Sequence, residues 1–225
     1  MTMLERVSKQ WFRRIVFLAL RQKSDLQPEN ILARYRSGQY FMMGRFGIMK
    51  WKNPDQRAVI PLDDRFQVGK RLAKKIHSGG FEVTFDRVLR RVVESCAELN
   101  PKRSWTWIYP EVIDVICSLH RQGYAHSVEV WRQGQLVGGE YGIAIGGFYS
   151  GESMFTREDY ASRVALVFLV NRLRDCGYTL LDTQELRGVV REFGAYEMPR
   201  EEYLSLLGKA LSQNVTSFSS NTASQ

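Results

Sequence analysis

An α+β fold is the class this sequence predicts, and three observations carry it. Between Ala125 and Phe155, alternating apolar and polar residues are interrupted at Gln133-Gly134 and at Gly146-Gly147, the pattern of three antiparallel strands in a meander. After the meander, Ala161, Ala165, Leu166, Leu169 and Leu173 recur at helical spacing and predict a long helix over about 157–175. The order helix, meander, long helix, strand, helix then sets a helical layer against one sheet. With 225 residues, 44% of them hydrophobic, the chain can build one full core and a smaller second lobe.

In chain order, "MLERVSKQWFRRIVFLALRQK" reads as a basic amphipathic helix. Its apolar run is too short to span a bilayer and is followed by charge, so packing on the body is the simpler role and a surface that touches membrane or RNA the alternative. Asp25, Pro28 and Gly38 bracket a short helix over 28–37. Asn53-Pro54-Asp55 then makes a turn into the strand "RAVIPL", which marks the boundary between a small lobe (1–57) and the main domain (58–211). "FQVGKRLAKKIHSG" predicts a basic helix closed by Gly79-Gly80, "FEVTFD" a strand, and "RVLRRVVESCAEL" and "PEVIDVICSLHRQG" two more helices. "YTLLDTQEL" opens as a buried strand and "EMPREEYLSLLGKAL" as a final helix. Residues 212–225, rich in Ser, Asn and Thr without a core pattern, predict a disordered tail.

The net charge of +8 is unevenly spread. Residues 1–75 hold 17 Lys+Arg against 6 Asp+Glu, or +11, and the remainder holds 15 against 18, or −3. A basic front and a slightly acidic back suit a protein that holds a nucleic acid at one end and a cationic group at the other; solvated helix faces are the plain alternative. Cys96, Cys117 and Cys176 lack CxxC spacing and predict buried thiols in a reducing compartment, and His77, His120 and His126 do not form a metal-ligand pattern with them. A soluble cytoplasmic monomer is expected.

The element order resembles that of GNAT-type acyltransferases, which bind an activated acyl donor where adjacent strands splay. Their Gly-rich pyrophosphate turn before the long helix is replaced here by "SGESMFTRED", so an enzyme of this shape needs a donor other than coenzyme A. On "YTLLDTQEL", the period of two puts Asp182 and Gln184 on one strand face, where both can enter a cleft or cap the turn that follows.

"NPDQRAV" (53–59), "TWI" (106–108), "LHRQGYAHSVEVW" (119–131), "LVGGEYG" (136–142), "GESMF" (151–155), "ASRVAL" (161–166), "LLDTQ" (180–184) and "FGAYEMPREEYL" (193–204) stand in an order that resembles the leucyl/phenylalanyl-tRNA–protein transferase family over about residues 25–210. The resemblance implies a GNAT-like catalytic lobe with a small N-terminal lobe. It implies transfer of Leu or Phe from aminoacyl-tRNA to the α-amino group of proteins beginning with Arg or Lys, creating an N-degron, without metal, ATP or another cofactor. Asp182 and Gln184 match the catalytic pair, with Gln184 bonding the attacking amine and Asp182 orienting that amide. Glu152 matches the acceptor site, where a carboxylate pairs with a basic side chain or an α-ammonium. Trp107 matches a donor-site platform for the terminal adenine or a neighbouring group, and Tyr149, Leu166, Leu169, Leu173 and Leu181 match the lining of the amino-acid pocket. Lys70, Arg71, Lys74 and Lys75 form a patch suited to tRNA phosphates.

The chain departs from the family's pattern at four points. The usual N-terminal opening is replaced; Met42 stands where the family has a donor-site tryptophan, and Ile116 where it has a tyrosine. Glu140 stands where it has an apolar residue at the pocket edge, and an ionised carboxylate there is costly without a partner. Retained chemistry with a changed donor amino acid or acceptor is therefore one alternative, and a non-catalytic module binding tRNA or basic N-termini is another.

Overall fold

The strand-forming runs of this chain assemble into a seven-stranded sheet whose central runs carry apolar side chains on both faces and need cover on both. The computed structural model describes residues 25–44, 47–99 and 103–219. The amphipathic helix expected over residues 1–21 and the last residues of the expected tail lie outside these. In chain order the elements are α1 (Pro28–Arg36), β1 (Tyr40–Met43), β2 (Met49–Lys52), β3 (Gln56–Ile60), α2 (Lys70–Ser78), β4 (Glu82–Phe85), α3 (Leu89–Ala97), α4 (Pro110–Arg121) and β5 (Ala125–Arg132). They continue with β6 (Gln135–Ile145), β7 (Phe148–Thr156), α5 (Ala161–Cys176), β8 (Leu180–Gln184), a 3₁₀ turn (Gly188–Phe193), β9 (Tyr196–Pro199) and α6 (Arg200–Leu211).

The sheet order is β4-β5-β6-β7-β8-β3-β9, and β1 pairs with β2 in a separate two-stranded sheet. The expected meander is β5-β6-β7, antiparallel throughout. The expected long helix α5 returns the chain so that β8 lies parallel to β7. The strands β1, β2 and β9 are short and carry too few alternations to announce themselves in the sequence.

Alternation sorts the side chains into two cores, one on each sheet face. Tyr141, Ile143, Phe148 and Leu180 join one cluster with α3, α4 and the α1–β1 region, whereas Val128, Tyr149 and Leu181 join another with α5. Ile116 is wholly buried in the first, where an apolar side chain satisfies the packing. Gly138 lets α5 approach, since a Cβ there would lie 2.5 Å from that of Ala161. The three cysteines are free and buried, as expected.

One expectation is corrected. The composition after α6 predicts disorder, yet Phe218 is 1% exposed. Its ring stacks on His126 at 4.5 Å and on Tyr149 at 5.8 Å. A single aromatic side chain in an otherwise polar run is enough to dock the segment, because burying one ring contributes roughly 1.5–3 kcal/mol.

Candidate active site

The parallel pair β7-β8 is bonded over Phe148–Leu180, Tyr149–Leu181 and Ser150–Asp182. Beyond that register, bulges redirect both strands. On β7, Gly151 faces Gly142 and Ser153 faces Tyr141, which leaves Glu152 as the extra residue. On β8, Asp182 faces Val59 and Gln184 faces Ala58, which leaves Thr183 as the extra residue. Gly142 is needed beside the first bulge, since a Cβ there would meet the Ser150 carbonyl oxygen at 2.3 Å. Gln184 closes β8 with φ 66°, a left-handed conformation that is strained for a side chain of this type and recurs at functional positions.

The two irregularities bring Glu152 and Gln184 together. Glu152 Oε1 accepts hydrogen bonds from Gln184 Nε2 at 3.1 Å, Tyr35 Oη at 2.9 Å and Ser150 Oγ at 2.9 Å. Its Oε2 is buried and has no hydrogen-bond partner among the described residues. Burial pushes the Glu152 carboxyl up to about 7, against the pull of its hydrogen-bond donors. The acid therefore sits near half ionisation at neutral pH.

Asp182 is arranged differently from the sequence expectation. It has no exposed surface, and Arg57 Nε donates to its two oxygens at 2.9 and 3.1 Å. Tyr203 Oη donates to Oδ2 at 3.0 Å, and Gln184 donates to Oδ1 through its backbone N–H at 2.7 Å. The bulge at Thr183 breaks the two-residue period between them, yet both side chains reach groups beside the same core, Asp182 to Tyr203 and Gln184 to Glu152 next to Tyr35. Asp182 thus fixes the backbone of Gln184 and leaves its amide free to reach Glu152. Arg57, only 2% exposed, lies between the rings of Tyr40 and Tyr203, at 4.7 and 4.6 Å, and donates to the Gly38 carbonyl at 2.8 Å. Burial opposes its charge, but Asp182 more than offsets this and holds the guanidinium above its ordinary value.

The donor-side residues divide into two groups. Tyr149, Leu166, Leu169, Leu173 and Leu181 are buried in one cluster, which also holds Phe218. Glu140, 2% exposed on β6, reaches this cluster and accepts from Tyr149 Oη at 3.0 Å. Burial pushes its carboxyl up to about 8, so it is mostly neutral at pH 7 and the cost expected of an ionised acid is avoided. Trp107 and Met42 are half-buried against the other core. Trp107 meets Phe41 edge-on at 5.7 Å, and Trp51 meets the same ring at 5.9 Å.

Lys70, Arg71 and Lys74 are exposed on α2 and Lys75 is half-buried, while Leu72 anchors the helix in the core. Sequence reasoning missed Arg57, Tyr35, Tyr203 and Ser150 as site residues. Arg57 and Tyr203 lie inside "NPDQRAV" and "FGAYEMPREEYL", two of the motifs that carry the resemblance, and an arginine in an apolar strand is itself a signal for a buried partner.

The sequence spacing also concealed a cluster of Asp86, His120 and His126, whose potential metal-ligating atoms lie within 4.8 Å of one another. Internal bonds account for it. Asp86 accepts from Ser127 N at 2.9 Å, from His126 Nδ1 at 2.7 Å and from Ser219 Oγ, and His120 Nδ1 donates to the Ala125 carbonyl at 2.7 Å. The adjoining cavity of about 390 Å³ is lined by Arg87, Arg90, Arg91 and Arg121, a field that disfavours a cation.

Residues 59–208 match the family described as leucyl/phenylalanyl-tRNA protein transferase. A protein of that name from Herpetosiphon aurantiacus is 45% identical over 191 residues, covering 85% of this chain and 97% of that protein. Another from Salinibacter ruber is 44% identical over 189 residues, covering 83% and 81%. Among solved structures, a GCN5-related N-acetyltransferase from Kribbella flavida gives a TM-score of 0.40 at 14% identity, covering 66% of this chain and 55% of that one. The chain belongs to the leucyl/phenylalanyl-tRNA protein transferase family of aminoacyltransferases.

Proposed function

We propose that this chain transfers Leu or Phe from its charged tRNA to the α-amino group of proteins that begin with Arg or Lys, acting in the cytoplasm to create an N-degron. The observation that carries the reading is the Glu152–Gln184 contact at the point where β7 and β8 part, built from residues in the family's motifs. An aminoacyl ester is already an activated acyl group, and an α-amino group titrates at roughly 7.7–8.0, so an appreciable neutral fraction exists at pH 7. Positioning then supplies most of the catalysis. Gln184 orients the amine and Glu152 forms the acceptor side, while Asp182 and Arg57 hold the strand that presents them.

On the donor side, Trp107 offers an apolar plane to the terminal adenine, and Met42 takes part in donor binding. The cluster of Tyr149, Leu166, Leu169, Leu173 and Leu181 supplies apolar walls for the amino-acid side chain. The exposed cations of α2 suit phosphates of the tRNA. Residues 1–57 serve as the small lobe and 58–211 as the catalytic domain.

A neutral Glu140 supports the Leu/Phe reading, because a protonated acid bonded to Tyr149 adds no charge to the pocket. The same group favours a second reading, a more polar donor, since a carboxyl can bond a polar side chain where an apolar residue cannot. Transfer from tRNAs charged with each labelled amino acid to a protein beginning with Arg or Lys separates the two, with Gln184→Ala beside the wild type. Leu or Phe transfer that falls by at least tenfold in the variant is expected. Transfer of only a polar amino acid would overturn the donor assignment, and no transfer from any tRNA would remove the proposed function.

A further inference from the structure

We propose that Glu152 is the proton acceptor of the reaction, taking a proton from the acceptor amine at Oε2 as that amine attacks the aminoacyl ester. The inference rests on the transfer reading above and changes the division of labour within it.

The geometry singles out this atom. Around the splayed ends of β7 and β8, Asp182 is fully engaged by Arg57, Tyr203 and the backbone of Gln184. A carboxylate so placed cannot take a proton from a substrate without breaking that knot. The Gln184 amide has no basic lone pair at neutral pH. Tyr35 and Ser150 already donate to Glu152. Glu152 Oε1 is saturated by three donors, whereas Oε2 is buried without a partner among the described residues. Leaving a buried acceptor unsatisfied is costly, and an N–H from an amine held by Gln184 would satisfy it. The bulge that makes Glu152 the extra residue on β7 supplies the reason for its aim.

The titratable groups that act on Glu152 are Tyr35 of α1, Glu140 and Tyr141 of β6, Asp182 of β8 and Tyr203 of α6, with Arg57 of β3 held behind Asp182. Burial is the largest influence on Glu152 and raises its pKa to about 7, close to that of an α-amino group. That match suits a general base at neutral pH.

The step balances. The neutral amine nitrogen bonds to the ester carbonyl carbon, and one N–H proton passes to Glu152 Oε2. The carbon–oxygen bond to the tRNA ribose then breaks, its electron pair stays on the ribose oxygen, and that oxygen takes the proton from Glu152. The carboxylate is restored.

The test is the pH profile of kcat at saturating aminoacyl-tRNA and acceptor peptide, for wild type, Glu152→Gln and Tyr35→Phe. Below pH 7 the wild-type rate should rise with two ionisations, one from Glu152 and one from the amine. Glu152→Gln should lower kcat by roughly 10²–10³-fold, retain only the amine ionisation and leave the acceptor KM within about twofold. Tyr35→Phe removes one donor that favours the charged form and should move the Glu152 ionisation upward with the fold intact, as read by circular dichroism. A Glu152→Gln variant with near-wild-type kcat, a raised KM and both ionisations would overturn the inference and leave Glu152 as an acceptor-binding group. An unchanged profile in Tyr35→Phe would also overturn it. Failure of the wild type to transfer from any charged tRNA would instead remove the transfer reading, and this inference with it.

Discussion

Two regions of the sheet bury an acid equally deeply and resolve it in opposite ways. At the end of β8, Asp182 is paired with Arg57, and the guanidinium lies between two tyrosine rings. On β6, Glu140 accepts a hydrogen bond from a tyrosine hydroxyl amid apolar side chains, and burial drives it toward the neutral form. The difference teaches that depth alone does not determine the state of a buried acid. At Asp182 the Arg57 guanidinium bonds both oxygens of the acid; at Glu140 no such cation bonds the acid among the described residues, and burial moves the proton onto it. The two outcomes suit their places: a charged knot holds a strained strand end, and a neutral group leaves a side-chain pocket uncharged.

The largest expected effect comes from breaking the paired region. Asp182→Ala leaves the Arg57 charge buried without its counter-ion and should lower stability by about 3–5 kcal/mol in urea unfolding. Replacing Arg57 and Asp182 together by apolar residues should cost much less than the sum of the single changes. Additive losses would show that the two side chains do not act as one energetic unit.

Phe218→Ala should cost about 3 kcal/mol, because a ring packed against His126 and Tyr149 leaves a cavity beside the neutral region. A loss below about 0.5 kcal/mol would show that the terminal segment does not dock in solution.

Glu140→Met should sharpen the comparison through pH. The folded pKa of Glu140 is above its unfolded value, so the native state binds the extra proton between roughly pH 4.3 and about 8. Stability should fall as pH rises through that window, at up to about 1.4 kcal/mol per pH unit from this group. The methionine variant should lose that part of the slope, whereas retention of the full slope would show that Glu140 is charged in the folded protein.

The smallest stability effect is expected at the surface. Neutralising Lys70, Arg71 and Lys74 should change stability by no more than about 0.5 kcal/mol. It should weaken tRNA binding and reduce its dependence on salt, by about one unit of slope for each phosphate that is no longer neutralised. Unchanged salt dependence would remove α2 from the tRNA interface.

The meander, α5 and the helices before it are legible in the sequence because each repeats a period over enough residues to stand out. β1, β2 and β9, at four residues each, are not. Of the candidate site, Glu152 and Gln184 are legible in the motifs and do meet. That Asp182 bonds the backbone N–H of Gln184 and leaves its amide to Glu152 is not legible in the sequence, because the bulge at Thr183 and the pairing with Arg57 set where each group reaches.

By itself the sequence determined the α+β order, the family and the residues able to do chemistry, all of which are written in local pattern and motif. The tertiary structure decided which acid is paired, which is neutral and which has an oxygen without a partner. Those outcomes depend on groups far apart in the chain, such as Arg57 with Asp182 and Tyr35 with Glu152, whose energies exist only once the sheet has brought them within bonding distance.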